Sequence, residues 1–181
     1  VVVTSSDAVT GMHYNPKDLH PMYLPIDEDH PLHPTEFYSL SKQVTEIICE
    51  SYACRGNLKI IVIRPTFIVF PSVRTELEER GSDPQNYHLW CYVEPEDVAR
   101  AFAHGLSVSE INYDKFFISA ADTLARRPTL ELIEQRLGYI PKIRRPNLYE
   151  ANPTASILDI TRSRERLNFE PMSNWRKLAT K

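Results

Sequence analysis

Residues 58–65 read LKIIVIRP. A β-branched run closed by a proline, which cannot continue a hydrogen-bonded ladder, is the pattern of a strand buried in a parallel sheet. Upstream, RGN at 55–57 is a turn, and before it Phe37, Leu40, Val44, Ile47 and Ile48 recur at helical spacing. Thr35 can cap this helix, and Glu36 suits its first turn. At about 100° per residue, Tyr38, Lys42 and Cys49 fall well away from the apolar stripe. The chain opens with VVVTSS, a second β-branched run that gives way to polar residues and DAVTG. Strand, loop, helix, strand at these lengths is one βαβ crossover of a parallel α/β sheet.

The connecting segment 12–35 is rich in Pro and His and reads as a surface loop, with IDEDHP (26–31) a solvated turn ahead of the helix. Downstream, residues 71–91 are irregular and polar. PEDVARAFAHGL (95–106) reads as a helix with an acidic start, KFFISA (115–120) as a strand, PTLELIEQRLG (128–138) as a helix punctuated by Pro and Gly, and 161–167 as a last short helix. From about residue 108 the pattern suggests a smaller α/β lobe packed beside the sheet.

The composition, 42% hydrophobic and 25% charged over 181 residues, is that of a folded globular protein. A net charge of −3, with basic residues clustered only in pairs such as Arg126-Arg127 and Arg144-Arg145, gives no face for a phosphate backbone and argues against a nucleic-acid partner. No apolar run is long enough to span a bilayer and the start lacks signal-peptide character, so no membrane partner and a cytoplasmic location are expected. Cys49, Cys54 and Cys91 are odd in number and dispersed, which fits free thiols. His20, His30 and His33 lie in a Pro-rich loop without ligand-like spacing, and no metal site is expected.

EFYSLSK (36–42) places Tyr38 one helical turn before Lys42. With nine tyrosines in the chain, that spacing alone is weak evidence. Its company is more specific: VVVTSSDAVTG, PIDEDHPLHPTEFYSLSKQVTE, IIVIRPTFIVFP and YVEPEDVARA follow in that order. Together they resemble the NAD(P)-dependent epimerase/dehydratase family, the extended short-chain dehydrogenase/reductases. AADTLARRPTLELI and the closing ILDITRSRERLNFEP extend the resemblance through the C-terminal part.

The resemblance implies a fold comprising the C-terminal part of a Rossmann-type parallel sheet with a smaller α/β substrate lobe. It divides the chain into a partial NAD(P)-binding domain at 1–107, with an excursion into the substrate lobe at 71–92, and a substrate-binding lobe at 108–181. By motif, Ser6 takes the catalytic Ser/Thr position, with Ser5 the second candidate, and Tyr38 and Lys42 take the catalytic Tyr and Lys. Ser41 and Glu46 fit the surroundings of that pair, Pro65 lies near the nicotinamide, and Asp97 opens a helix in a structural role. A free phenol, with a pKa near 10, is a poor base, but a nearby ammonium favours phenolate. Tyr38 would remove a substrate hydroxyl proton as hydride leaves for NAD or NADP, Ser6 would bond the same oxygen, and Lys42 would also hold the ribose.

There are departures. The five glycines are not spaced to cradle a pyrophosphate, so a truncated chain with weak or absent cofactor binding is expected. Thr10 stands where Tyr is frequent, Phe67 and Phe70 stand where Asn and Gly are common, and His88 stands where many members carry a diphosphate-binding Arg. Ser6, Phe67 and His88 are the substrate-binding candidates, for a sugar or another small hydroxy or keto compound. Three readings are open: an epimerase, dehydratase or reductase; a reductase of small carbonyl compounds; or a non-catalytic remnant or module that pairs through its N-terminal strand. A homodimer is among the assemblies considered.

Overall fold

The computed structural model describes residues 1–12, 19–172 and 174–178. In chain order the strands are β1 (Val2–Thr4), β2 (Tyr23–Leu24), β3 (Ile60–Pro65), β4 (Tyr113–Ile118) and β5 (Lys142–Ile143). The helices are α1 (Phe37–Cys54), α2 (Leu77–Ser82), α3 (Pro95–Ser107), α4 (Thr129–Leu137), α5 (Pro146–Ala151), α6 (Thr161–Leu167) and α7 (Trp175–Leu178). Strands β1, β3 and β4 form a parallel sheet in that order, with Val3 opposite Val62 and Ile63 opposite Phe116. A second, short parallel pair joins β2 to β5.

Alternation along β3 builds two layers. Ile60 and Val62 face Cys49 and Ala53 of α1, whereas Ile61 and Ile63 pack with Ala101 of α3, Phe116 and the α6 residue Leu167. Gly105 lets α3 approach β1 closely, because a methyl group there would come within 3.2 Å of both Val2 and Ile61. The resulting fold is a Rossmann-type parallel α/β sheet covered on both faces. The sheet continues past the expected division at 107/108, since β4 pairs with β3 along its whole length. A separate core gathers Leu24, Leu77, Trp90, Tyr92, Ile133 and Trp175, joining the 71–92 segment to the C-terminal helices.

The outer edge of β4 is closed by side chains. Phe117 N–H donates to Glu28 Oε1 at 2.8 Å, and Ser163 Oγ donates to Phe117 O at 2.5 Å. Blunting an edge this way prevents further strand pairing. Glu28 is therefore buried, not part of a solvated turn, and burial pushes its carboxyl up to about 7 despite the Phe117 N–H and the Arg162 guanidinium at 3.4 Å. Met12, Tyr23, Leu24, Ile26 and His30 are buried as well, so much of the described stretch up to His30 belongs to the interior where a surface loop was expected, whereas Pro31, His33 and Thr35 are exposed. Residues 13–18 of that segment lie outside the described residues.

Helix α1 departs most from its amphipathic pattern. Its apolar stripe faces outward, with Phe37 92%, Ile47 58% and Ile48 51% exposed. The side against the sheet is Ser39, Glu46, Cys49 and Ala53. What docks this side is a buried ion pair: Glu46 accepts from Arg64 Nε and Nη2 of β3 at 2.8 and 2.6 Å. The helix cap is Glu36 instead of Thr35, its carboxylate accepting from the N–H groups of Tyr38 and Ser39 at 2.6 and 2.5 Å. Partial burial opposes ionisation of Glu36, but these donors hold its carboxyl below the usual range.

Candidate active site

The end of β1 separates two neighbouring hydroxyls. Ser5 N–H continues the ladder to Ile63 O, and its Oγ donates to Glu46 Oε1 at 2.5 Å, turned toward α1. Ser6, in extended conformation, caps the short 3-10 turn Asp7–Thr10, its Oγ accepting from Ala8 N–H at 3.1 Å. The same hydroxyl reaches Asp7 Oδ1 at 3.2 Å. That turn ends at Gly11, whose φ of 75° and contact with the His33 carbonyl exclude a side chain.

Tyr38 projects from the first turn of α1 and is 50% exposed. One turn later, Lys42 Nζ lies 5.5 Å from the Tyr38 ring centroid and donates to Thr4 O at 3.2 Å, tying the helix to the end of β1. Pro65 terminates β3, and the chain runs on through Thr66, Phe67 and Ile68. A cavity of about 370 Å³ is lined by Thr4, Ser5, Ser6, Asp7, Ala8, Tyr38, Pro65, Thr66, Phe67, Ile68 and His88. It opens at the carboxyl ends of β1 and β3, where sheets of this class bind ligands. Of the sequence candidates, Ser6, Tyr38, Pro65, Phe67 and His88 are thus brought to one cleft, with Lys42 beside Tyr38. The Phe67 and His88 rings stack at 4.7 Å between centroids.

Other candidates sit elsewhere. Asp97 is buried at the start of α3, where it accepts from Met172 N–H at 3.0 Å. His20 stacks on Tyr139, while the buried His30 ring accepts from Met22 N–H through Nε2 and uses Nδ1 toward Pro31 O, a neutral tautomer whose pKa burial holds low. Arg126 pairs with Glu78, and Arg127 with Gln135 and Glu131. The three thiols are free, and burial pushes that of Cys91 up to about 12. Sequence reading passed over the partnership of Glu46 with Arg64. The available signal was a charge in an otherwise apolar strand, which must find a buried counter-ion.

A dinucleotide fits these residues only in part. Tyr38 and Lys42 offer donors of the kind a ribose needs, and Pro65 supplies an apolar contact. None of the glycines offers a pyrophosphate cradle: Gly11, Gly81 and Gly105 are filled by neighbouring atoms, and Gly56 and Gly138 follow helices.

The arrangement defines a class: a Rossmann-type α/β protein with a hydroxyl-lined cleft at its strand ends. Residues 1–82, the part of the chain carrying Ser6, Tyr38, Lys42, Pro65 and Phe67, match the family model described as the NAD dependent epimerase/dehydratase family. Among solved structures, the chain is similar to UDP-glucose 4-epimerase of Thermotoga maritima, with 23% identity, a TM-score of 0.61, and coverage of 98% of this chain and 60% of that one. It is also similar to UDP-N-acetylglucosamine 4-epimerase of Bacillus cereus, with 17% identity, a TM-score of 0.63, and 99% and 60% coverage. A third is RMD of Pseudomonas aeruginosa, solved with NADPH, with 18% identity, a TM-score of 0.62, and 98% and 63% coverage. The chain therefore spans about 60% of the length of these structures, whose likeness establishes the fold. Among curated proteins no sequence match reaches significance. Among the described residues no helix is long and apolar enough to cross a membrane.

Proposed function

We propose that the chain carries the proton-transfer site of an NAD(P)-dependent epimerase, dehydratase or oxidoreductase acting on a sugar or other small hydroxy or keto compound. The observation that carries this reading is that Ser6 and Tyr38, from β1 and α1, line one cleft with Lys42 beside the phenol. When bound, NAD(P) would accept or return the hydride. Tyr38 Oη takes the proton of a substrate hydroxyl, or returns it to a carbonyl oxygen. Ser6 Oγ, anchored at the start of its turn, hydrogen-bonds the same oxygen. The Lys42 ammonium, held by Thr4 O, fixes the distance between helix and strand beside the phenol.

A dinucleotide gripped only at its nicotinamide end should bind weakly, in a range of roughly millimolar, about −4 kcal/mol. Millimolar NADH added to the isotope-labelled chain should shift amide signals of Ser6, Tyr38, Lys42 and Pro65, and Lys42→Ala should lessen the shifts. Shifts confined to other parts of the molecule would refute the assignment.

A second reading, association, has observations of its own. The Phe37, Leu40, Val44, Ile47 and Ile48 face of α1 is exposed, and an apolar patch of this kind marks an interaction surface. We read it as the contact of a homodimer. Ile47→Asp should lower the mass measured by light scattering from dimer to monomer; a wild-type monomer at 100 μM, a concentration chosen on the order of weak-dimer affinities, would count against it. Strand pairing offers a different route. β1 has a neighbour on one side only among the described strands, whereas β4 is capped by Glu28 and Ser163. A Val2→Pro variant would disrupt that edge and leave an α1 dimer intact.

A further inference from the structure

We infer that the cleft selects an uncharged hydroxy or keto compound bearing an aromatic or apolar group, and disfavours a nucleoside diphosphate sugar; this rests on the proposed reaction at Tyr38. The first observation concerns charge. Among the described residues no Lys or Arg lines the cavity, whereas Asp7 does. Diphosphates are ordinarily held by guanidinium or ammonium groups or by free N–H groups at a helix N-terminus. The helix start beside this cleft is closed to anions, because the Glu36 carboxylate already occupies the N–H groups of Tyr38 and Ser39. Nearby Arg80 is held by Glu76 through two hydrogen bonds, of 3.0 and 2.7 Å, and lies 4.9 Å from the Phe67 ring centroid.

The second observation concerns the wall that replaces those charges. The Phe67 and His88 planes are inclined by only 24°, and Tyr87 packs on His88 at 4.0 Å between centroids. Pro65, Ile68 and Ala8 continue the surface on apolar atoms. A planar group placed against such rings gains offset-stacking contacts, and a hydrated phosphate loses its water without return.

The wall is held in place at a conformational cost. Immediately after His88, Leu89 and Trp90 both adopt left-handed backbone, with φ of 51° and 60°, which bulky side chains disfavour. Asn86 Oδ1 holds this turn by accepting from His88 N–H at 2.9 Å, and its Nδ2 donates to Arg80 O at 2.7 Å. Trp90 is fully buried, with Nε1 donating to Asp83 O at 3.0 Å. One clamp thus orients both His88 and the residue carrying the Arg80 cation, so the aromatic wall is preorganised.

The test is calorimetric titration of the chain with 4-phenyl-2-butanone and, separately, with UDP-glucose. Wild type should bind the aryl ketone at least roughly tenfold more tightly than UDP-glucose, and Phe67→Asn/His88→Arg should reverse that preference. Phe67→Leu, which stays apolar and loses the ring, should weaken the ketone alone and guards against misfolding of the double variant. Equal or tighter binding of UDP-glucose by wild type, or an unchanged preference in the double variant, would overturn the inference. Ketone binding that follows Phe67 and His88 without Tyr38-dependent turnover when NADH or NADPH is added at saturating concentration would refute the reaction and leave the selectivity standing. Tyr38-dependent turnover of UDP-glucose with NAD or NADP added in the same way would refute the selectivity and leave the reaction.

Discussion

Removing the Glu46 carboxylate should unlock α1 from the sheet. Glu46 accepts three side-chain hydrogen bonds, from Ser5 Oγ and from Nε and Nη2 of Arg64, and the Arg64 and Glu46 side chains are 0% and 4% exposed. Arg64 Nη1 is already buried without a partner among the described residues, so in Glu46→Ala the whole guanidinium would lie in the interior uncompensated, near the Phe117 ring. Breaking a buried pair from one side costs about 3–5 kcal/mol, a large part of a typical stability of about 5–15 kcal/mol. For a chain of this size that corresponds to a fall in Tm of roughly 6–20 °C. Glu46→Leu/Arg64→Met removes both charges and should restore stability to within about 2 kcal/mol of wild type, since the Coulombic gain of such a pair is largely offset by its desolvation. Urea unfolding of wild type, Glu46→Leu, Arg64→Met and the double variant gives the coupling directly. The reasoning fails if the single variant loses less than about 1 kcal/mol, or if the double variant is as unstable as the single.

Glu28 supplies a pH signature. Its folded pKa of about 7 lies above the ordinary 4.5, so its stabilising contribution is complete below pH 4.5 and is lost as pH rises through 7. The shift corresponds to a loss of about 3 kcal/mol. Urea unfolding at pH 5 and pH 8 should show the stability of Glu28→Gln relative to wild type increasing on the alkaline side, and a pH-independent difference would exclude the mechanism. Gly11 and Gly56 make a matched pair, with φ of 75° and 77°. Gly56→Ala has open space around it and should cost about 1–2 kcal/mol from backbone conformation alone. Gly11→Ala adds a contact of 1.9 Å with the His33 carbonyl and should cost clearly more; equal midpoints in urea would contradict the packing seen there.

Strand and helix identity was legible wherever punctuation and period agreed. Pro65 ends β3, Gly138 follows α4 in left-handed conformation, and the acidic start of α3 lies where expected. Segment 19–30 was illegible because its partners are remote: β2 pairs with β5, and Glu28 caps β4. Neither local periodicity nor turn chemistry encodes such pairings. The cleft is a similar case, since Ser6, Tyr38, Phe67 and His88 come from separate elements. The family motifs placed them in order, but periodicity alone could not place them together.

Helix α1 separates what apolar periodicity reports from what it does not. Apolar periodicity reports which face of a helix avoids water, and it cannot tell an intramolecular partner from an intermolecular one. Here the stripe is turned outward, and the face on the sheet combines small residues with a carboxylate matched to Arg64. Small residues permit the close approach that lets Glu46 meet Arg64, and that same approach brings Lys42 within reach of Thr4 O. A Leu at position 46 or 49 would make the face look more core-like in sequence while holding the helix farther from β1, and with it Tyr38 from Ser6. The polar, small-residue character of the inner face is therefore a requirement of the cleft's geometry. The exposed apolar face on the same helix is the one proposed above as a dimer contact.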